Sequence, residues 1–152
     1  MATKVKLGDT APNFEGLTSD GSRLALKDLI GKKNVVLYFY PKDDTPGCTK
    51  EACNFRDKIK PIRELGAEIV GVSLDSIDSH KKFADKYHPP FPLVSDKEKR
   101  IATAYGVLKE TGTSTSRVTF IIDKTGKITK IFPKVDVSKH TEEVVSALKE
   151  LP

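Results

Sequence analysis

Residues 35–53 read VVLYFYPKDDTPGCTKEAC and combine two kinds of local structure. The first six residues form a nearly continuous apolar run rich in β-branched and aromatic side chains, which is typical of a central strand covered on both faces. Pro41 ends this run. Thr45 suits the N-cap of a helix and Pro46 suits its first position. The stretch therefore predicts a buried strand that leads, through a short loop, into a helix.

The rest of the chain continues the alternation of strands and helices. Three further strands are predicted at residues 68–74, 117–123 and 127–132, the last two joined by a turn at 124–126. Helices are predicted from residue 46 toward residue 64, at 79–87, at 97–105 and at 138–151. Pro61 should kink the first helix or end it early, with Gly66 as its C-cap, and Ser79 and Ser138 are the predicted N-caps of the second and the last. This order predicts an α/β fold, a three-layer sandwich with a central mixed sheet.

Length and composition favour one compact domain over residues 1–152. The chain is 38% hydrophobic and 31% charged, which is too apolar for a disordered tail and too polar for a membrane protein. No apolar run approaches the roughly 20 residues of a membrane helix, and no export signal is visible, so we expect a cytoplasmic location and no membrane partner. The net charge is +5, but lysines alternate with acids, so we expect no nucleic-acid partner.

Cys48 is the leading candidate for chemistry. It would be the third residue of the predicted helix, at the carboxyl end of the central strand, where open α/β sheets place their sites. Unpaired backbone N–H groups and the positive end of the helix dipole favour a thiolate there. Asp43 and Asp44 oppose it, so a cation is needed, and Lys42 and Arg117 are the candidates. A helix start after Gly, Thr and Pro is expected to be exposed, which favours a reactive cysteine over a buried structural one.

Several other chemistries were weighed against this interpretation. The Cys-x4-Cys pair offers only two soft ligands, and no histidine lies at metal spacing to it, so we expect no metal site. His80 could serve a Cys/His hydrolase, but we expect it on a helix surface. Cys53, beside Ala52 and Phe55, could be plain core. A binding or holdase module remains an alternative, as does a thiol–disulfide reductase, although that activity normally uses Cys-x-x-Cys.

The same stretch contains Pro41-x-x-x-Thr45-x-x-Cys48, which resembles the active-site motif of peroxiredoxins. Cys53, five residues later on the same helix, is similar to a cysteine of the bacterioferritin-comigratory-protein subfamily, also called peroxiredoxin Q. Other segments that resemble the family are GDTAPNF at 8–14, GVSLDS at 71–76 with Ser-His at 79–80, and RVTFIID at 117–123. Residues 107–116 depart from the family, because this loop is shorter than the usual aromatic and lysine-bearing one.

The resemblance implies a thioredoxin-like fold and the reduction of hydroperoxides by thiols, without a cofactor. It implies that Cys48 is the peroxidatic nucleophile and that Cys53 is the resolving cysteine, which forms an intramolecular disulfide with it. Thr45 and Arg117 resemble the donors to the reacting peroxide, and Pro41 resembles the proline that shields the thiolate from water. The implied partners are a hydroperoxide substrate and thioredoxin or a similar dithiol reductant. We expect a monomer or a weak homodimer.

The spacing of the two cysteines predicts a conformational change. Residues five apart on a helix have Cα atoms roughly 8–9 Å apart and point to different faces. A disulfide needs Cα atoms within about 7 Å and converging Cβ atoms. Oxidation is therefore expected to unwind residues 46–55. Residues 49–51 include no large apolar anchor, so we expect this unwinding to be cheap.

Overall fold

The computed structural model describes residues 4–151, which form one mixed sheet with helices on both faces. The seven strands are β1 (Glu15–Thr18), β2 (Arg23–Ala25), β3 (Asn34–Phe39), β4 (Ala67–Ser73), β5 (Leu93–Ser95), β6 (Val118–Ile122) and β7 (Ile128–Phe132). Their order across the sheet is β2-β1-β5-β4-β3-β6-β7. In this arrangement β3 runs parallel to β4 and antiparallel to β6, at the middle of the layer.

Five α-helices cover the sheet, namely α1 (Pro46–Asp57), α2 (Ile59–Glu64), α3 (Ile77–Tyr87), α4 (Arg100–Tyr105) and α5 (His140–Lys149). Alternate residues of β3 enter two separate cores: Val35 and Leu37 lie in one, Val36 and Tyr38 in the other. Buried residues of α4 belong to the first core, and those of α1, α2, α3 and α5 belong to the second. The predicted three-layer α/β sandwich with a mixed sheet is confirmed. Among residues 4–151, no helix has the length and apolar character needed to cross a membrane.

The four predicted strands are present, at 34–39, 67–73, 118–122 and 128–132. Three short strands, β1, β2 and β5, were not predicted. Each has only three or four residues, which is too short for an alternating pattern to stand out. β1 and β2 pair as a hairpin, and β1 also pairs with the distant strand β5.

The predicted first helix is interrupted at Lys58, where α1 ends and α2 begins. Pro61 explains this position. A proline in a helix lacks the N–H that would bond the carbonyl four residues earlier, here Asp57, and its ring collides with that carbonyl. Gly66 follows α2 with φ of +77°, and its N–H donates to the Arg63 carbonyl at 3.0 Å, as predicted for a C-terminal cap.

Both predicted serine N-caps are wrong. The N-cap of α3 is Ser76, whose hydroxyl accepts the N–H of Ser79 at 3.1 Å. The hydroxyl of Ser79 instead donates to Asp43 at 2.8 Å. The last helix begins at His140, two residues after Ser138. Both errors arise because the hydroxyl of a serine near a helix start can also form hydrogen bonds in a turn or with other side chains.

The fourth helix is shorter than predicted, because Lys99 adopts a left-handed conformation with φ of +67°. Asp96 lies just before it and accepts the backbone N–H groups of Ile101 and Ala102 at 3.1 and 2.8 Å. Asp96 therefore caps the start of α4.

Candidate active site

Cys48 is the third residue of α1, as predicted, with Thr45 as N-cap and Pro46 at the first position. The expectation that it is exposed is wrong, since only 2% of the residue is accessible. Residues 48, 52 and 55 share one helix face at spacings of four and three, and all three pack into the core that contains Tyr38. The sulfur therefore lies at the helix N-terminus but is largely shielded from water.

Arg117 provides the cation at this cysteine. Its Nη2 donates to Cys48 Sγ at 3.3 Å. The residue directly precedes β6, and the antiparallel pairing of Val118 with Phe39 brings it to the end of β3, where α1 starts. Lys42, the other candidate, has an exposed side chain. Of the two cations, Arg117 is the one that the structure places on the sulfur.

Glu51 is a buried partner of Arg117 that the sequence did not reveal. Its Oε1 accepts from Arg117 Nη1 at 2.7 Å, and its side chain is 1% exposed. Burial raises the pKa of Glu51 to about 7, against the opposing effect of the Arg117 charge. Its other oxygen and the Tyr38 hydroxyl are buried, and neither has a hydrogen-bond partner within residues 4–151. The guanidinium is thus held between a carboxyl and the reactive sulfur. An acid three residues after Cys48 was the available signal, because that spacing places two side chains on one helix face.

Replacing Glu51 with glutamine is expected to flatten the pH dependence of stability. The carboxyl ionises near 4.5 when unfolded and near 7 when folded, so the folded state binds more protons between these values. The free energy of unfolding should therefore fall as the pH rises through this window, by at most about 3 kcal/mol. Denaturant unfolding of both proteins from pH 4.5 to 8 measures the slope. Glu64→Gln, at an exposed position of α2, is the control. Equal slopes in wild type and Glu51→Gln would contradict this assignment.

Thr45 and Pro41 lie in the loop between β3 and α1, and both are half-buried. The Thr45 hydroxyl donates to the Lys42 carbonyl at 2.9 Å, so in this structure its proton is directed to the loop backbone rather than to Cys48. Pro41 lines a cleft of about 400 Å³. The other residues of the cleft are Lys42, Leu74, Asp75, Thr113 and Ser114.

The short loop at residues 107–116 forms a small hairpin that closes one side of this cleft. Leu108 and Thr115 form an isolated antiparallel bridge. Thr115 is buried, and its hydroxyl donates to the Tyr40 carbonyl at 2.8 Å. The hairpin is therefore attached to the end of β3, next to Pro41.

Cys53 lies five residues after Cys48 on the uninterrupted helix α1, and both cysteines are free thiols. It is half-buried, whereas its neighbours Ala52 and Phe55 are buried. The cysteines are thus placed as in the prediction that an intact helix keeps them too far apart to form a disulfide.

His80 does not lie on a helix surface, as we had expected, but is fully buried. Its Nδ1 is 2.6 Å from Asp43 Oδ2, and its Nε2 is 2.9 Å from the Val94 carbonyl oxygen. Both ring nitrogens are thus engaged away from Cys48, which removes the basis for a Cys/His hydrolase. Asp43, Asp75 and His80 place their ligand atoms within 4.8 Å of one another, a donor set that could take a metal ion. Each of these groups, however, already has a hydrogen-bond partner in the protein.

Comparison with known proteins agrees with this geometry. Residues 7–131 match the AhpC/TSA family. The chain is 42% identical over 153 residues to peroxiredoxin Bcp of Bacillus subtilis, with 97% of each chain covered. It superposes on the structure of a peroxiredoxin Q mutant of Xylella fastidiosa with a TM-score of 0.91 at 35% identity, covering 97% of this chain and 98% of the other. A bacterioferritin comigratory protein of Xanthomonas campestris, studied for its alkyl peroxide reduction activity, gives a TM-score of 0.86 at 34% identity, with 97% and 98% covered.

Proposed function

We propose that Cys48 is the peroxidatic residue of this chain, which belongs to the AhpC/TSA family and is a thiol-dependent peroxidase similar to the Bcp and Q peroxiredoxins. One observation carries the assignment: the Cys48 sulfur lies at the N-terminus of α1, 3.3 Å from a guanidinium nitrogen of Arg117. A helix N-terminus and a permanent cation both stabilise a thiolate, which is the nucleophilic form of cysteine.

In the proposed reaction the Cys48 thiolate attacks one peroxide oxygen. The O–O bond breaks, an S–O bond forms, and the other oxygen leaves and takes up a proton to give water or an alcohol. Cys48 is oxidised to a sulfenic acid while the peroxide is reduced by two electrons. Arg117 stabilises the charge that develops on the oxygens, because its guanidinium offers several donors in a fixed plane. Thr45 would turn its hydroxyl from the Lys42 carbonyl to the bound peroxide, and Pro41 would exclude water beside the sulfur.

Cys53 is the proposed resolving residue. Its sulfur would attack the Cys48 sulfenic acid, so that an S–S bond forms and water leaves. Unwinding α1 would separate Cys48 and Glu51 from Arg117. Residues 49–51 include no large apolar side chain, but Glu51 is a buried polar anchor, so unwinding costs more than the sequence led us to expect. The free-energy cost of unwinding α1 is reduced because burial disfavours the ionised Glu51 carboxylate, and unwinding would return that carboxylate to water.

Oxidation is expected to lower the amide protection of residues 48–55. Hydrogen exchange on the reduced and oxidised proteins measures this directly, and α5, which contains no cysteine, serves as the internal reference. Cys53→Ser treated with one equivalent of peroxide is the matched control, because it forms the sulfenic acid without the disulfide and should keep its protection. Equal protection in both forms of the wild type, with a confirmed Cys48–Cys53 bond, would refute the unwinding.

The proposal extends to the partners and the setting of the enzyme. Substrates are hydrogen peroxide and organic hydroperoxides, in line with the activity studied in the X. campestris protein. The reductant is thioredoxin or a similar dithiol, which would open the disulfide by exchange. We place the enzyme in the cytoplasm, where such reductants keep thiols reduced. Residues 1–152 would act as a single domain and as a monomer or weak homodimer.

A coupled assay tests this function. With thioredoxin, its reductase and NADPH, hydroperoxide should cause NADPH oxidation that depends on the protein, and sedimentation should report a monomer or weak dimer. A protein that acts only as a binding or holdase module would consume no NADPH in response to peroxide. That result would overturn the proposal.

A further inference from the structure

The active-site loop, residues 40–45, is fixed to α3 through a buried aspartate. Asp43 is 7% exposed, and its Oδ2 lies 2.6 Å from Nδ1 of the fully buried His80. The same carboxylate accepts the Tyr40 hydroxyl at 2.6 Å and the Ser79 hydroxyl at 2.8 Å. Burial raises the pKa of Tyr40 well above its ordinary value, so this hydroxyl stays a donor. The loop that carries Pro41 is therefore held from its interior side.

The hydrogen-bond geometry shows where the protons are. A carbonyl oxygen only accepts, so the His80 Nε2 that lies 2.9 Å from the Val94 carbonyl must carry a hydrogen. At 2.6 Å, Nδ1 and Asp43 Oδ2 also need a proton between them, because two lone pairs would otherwise face each other. The pair thus holds two protons and is neutral as a unit, either as imidazolium with carboxylate or as imidazole with carboxylic acid.

The groups around Asp43 disfavour a carboxylate that lacks its hydrogen bond to His80. Asp75 lies on the other side of the loop and accepts the Asp43 N–H at 2.8 Å and the Ser73 hydroxyl at 2.6 Å. Loss of the proton would leave a buried negative charge close to that second carboxylate. On α3, Lys86 contacts Asp44 of the loop at 3.2 Å, and both of these side chains are exposed. Exposed pairs of this kind contribute little to stability.

Asp44 shows that the loop needs to be held. It has φ of +59°, a left-handed conformation that costs energy for residues other than glycine and is tolerated best by Asn and Asp. The residue lies between Asp43 and Thr45, the N-cap of α1. Such a conformation persists when the segments on either side fix it, and the buried Asp43 contacts do so on one side.

We propose that Asp43 and His80 are positioning residues of the peroxidase, which share a proton that fixes the active-site loop and so sets Pro41 and Thr45 against Cys48. The inference rests on the proposed function, and it adds two residues that do not touch the peroxide. Loss of the hydrogen bond between Asp43 and His80 should loosen the loop and slow the peroxide step, while the thiol-exchange steps are unaffected.

Two replacements of His80 separate the contact with Asp43 from the contact with Val94. In His80→Asn, the side-chain amide nitrogen lies near the place of Nδ1 and donates to Asp43. In His80→Gln, the longer side chain places its nitrogen near the position of Nε2 and donates to the Val94 carbonyl. Asp43 then lacks the hydrogen bond that it has with His80. We measure kcat and KM for hydrogen peroxide at pH 7 and the melting temperature of each protein, and the metal content of the wild type.

The proposal expects His80→Gln to lose about tenfold or more in kcat/KM at pH 7, and His80→Asn to stay within about threefold of wild type. If His80→Gln does not fold, Ser79→Ala removes one donor to Asp43 and should reduce kcat/KM several-fold. Activity close to wild type in both histidine variants, equal losses in both, or a loss in His80→Asn alone would overturn the proposal. So would one equivalent of tightly bound metal, since a cation would then replace the proton. An inactive wild type would instead refute the proposed function.

Discussion

Replacing Cys48 with serine is expected to abolish peroxide-dependent turnover. A serine hydroxyl is not ionised near neutral pH, and neither the helix N-terminus nor Arg117 can make it an effective nucleophile toward an O–O bond. The substitution replaces the sulfur with an oxygen and nearly keeps the size of the side chain. The residue, which is 2% exposed in the wild type, should therefore remain packed. The coupled assay with saturating reductant measures the loss, and thermal melting verifies the fold.

The matched control for this experiment is Cys53→Ser. That variant should consume one equivalent of peroxide in a single turnover and leave a sulfenic acid that dimedone labels, whereas Cys48→Ser should not be labelled. Residual turnover of Cys48→Ser above the background of reductant alone would show that another group attacks the peroxide. Labelling of Cys53 in that variant would identify it.

Replacing Arg117 with alanine is expected to slow the peroxide step by a factor on the order of 10² to 10³, the loss usually seen for one donor that stabilises developing charge. The guanidinium is the only group within residues 4–151 whose hydrogen bond to the Cys48 sulfur is observed, at 3.3 Å. The value of kcat/KM for peroxide reports the effect. Arg23→Ala, an exposed position on β2, is the control and should leave the rate unchanged.

Because Glu51 binds Arg117, Arg117→Ala should lower stability as well as rate. Comparison with Arg117→Lys separates the two effects. Removing Arg117 leaves a buried carboxyl without its 2.7 Å partner, so the melting temperature of Arg117→Ala should fall as well. Arg117→Lys keeps the charge but lacks a planar fork that reaches carboxyl and sulfur together. We expect it to recover stability more than rate. A wild-type rate in Arg117→Lys would mean that charge alone suffices.

Local patterns were enough to predict the central strand and the start of α1. The apolar run before Pro41 and the Thr-Pro pair at 45–46 act over a few residues, and β3 and α1 follow them closely. Local patterns left Lys42 and Arg117 as equal candidates for the cation, and only the family resemblance favoured Arg117. Its position depends on the antiparallel pairing of β6 with β3, which brings together residues 69 apart in the chain.

The residues that were missed or misplaced depend on such long-range contacts. Glu51 looks like a surface acid in a stretch of TKEAC until Arg117, 66 residues away, is brought beside it. His80 has the pattern of an exposed helix residue, and its burial follows from Asp43, 37 residues earlier, and from β5. The burial of Cys48 was missed because the N-cap signals fix where a helix starts but not which face lies against the sheet.

The attachment of the 107–116 hairpin has a consequence for how this enzyme could diversify. Arg117 is set by the pairing of β6 with β3, and a shift of one residue in that register would turn it to the opposite face. The hairpin is joined to the end of β3 by Thr115, whose hydroxyl donates to the Tyr40 carbonyl. Residues 109–114 are therefore free to change in length and composition without moving the guanidinium. Because Thr113 and Ser114 of this tip line the cleft beside Pro41, a change in the tip can reshape the cleft while the guanidinium stays in place.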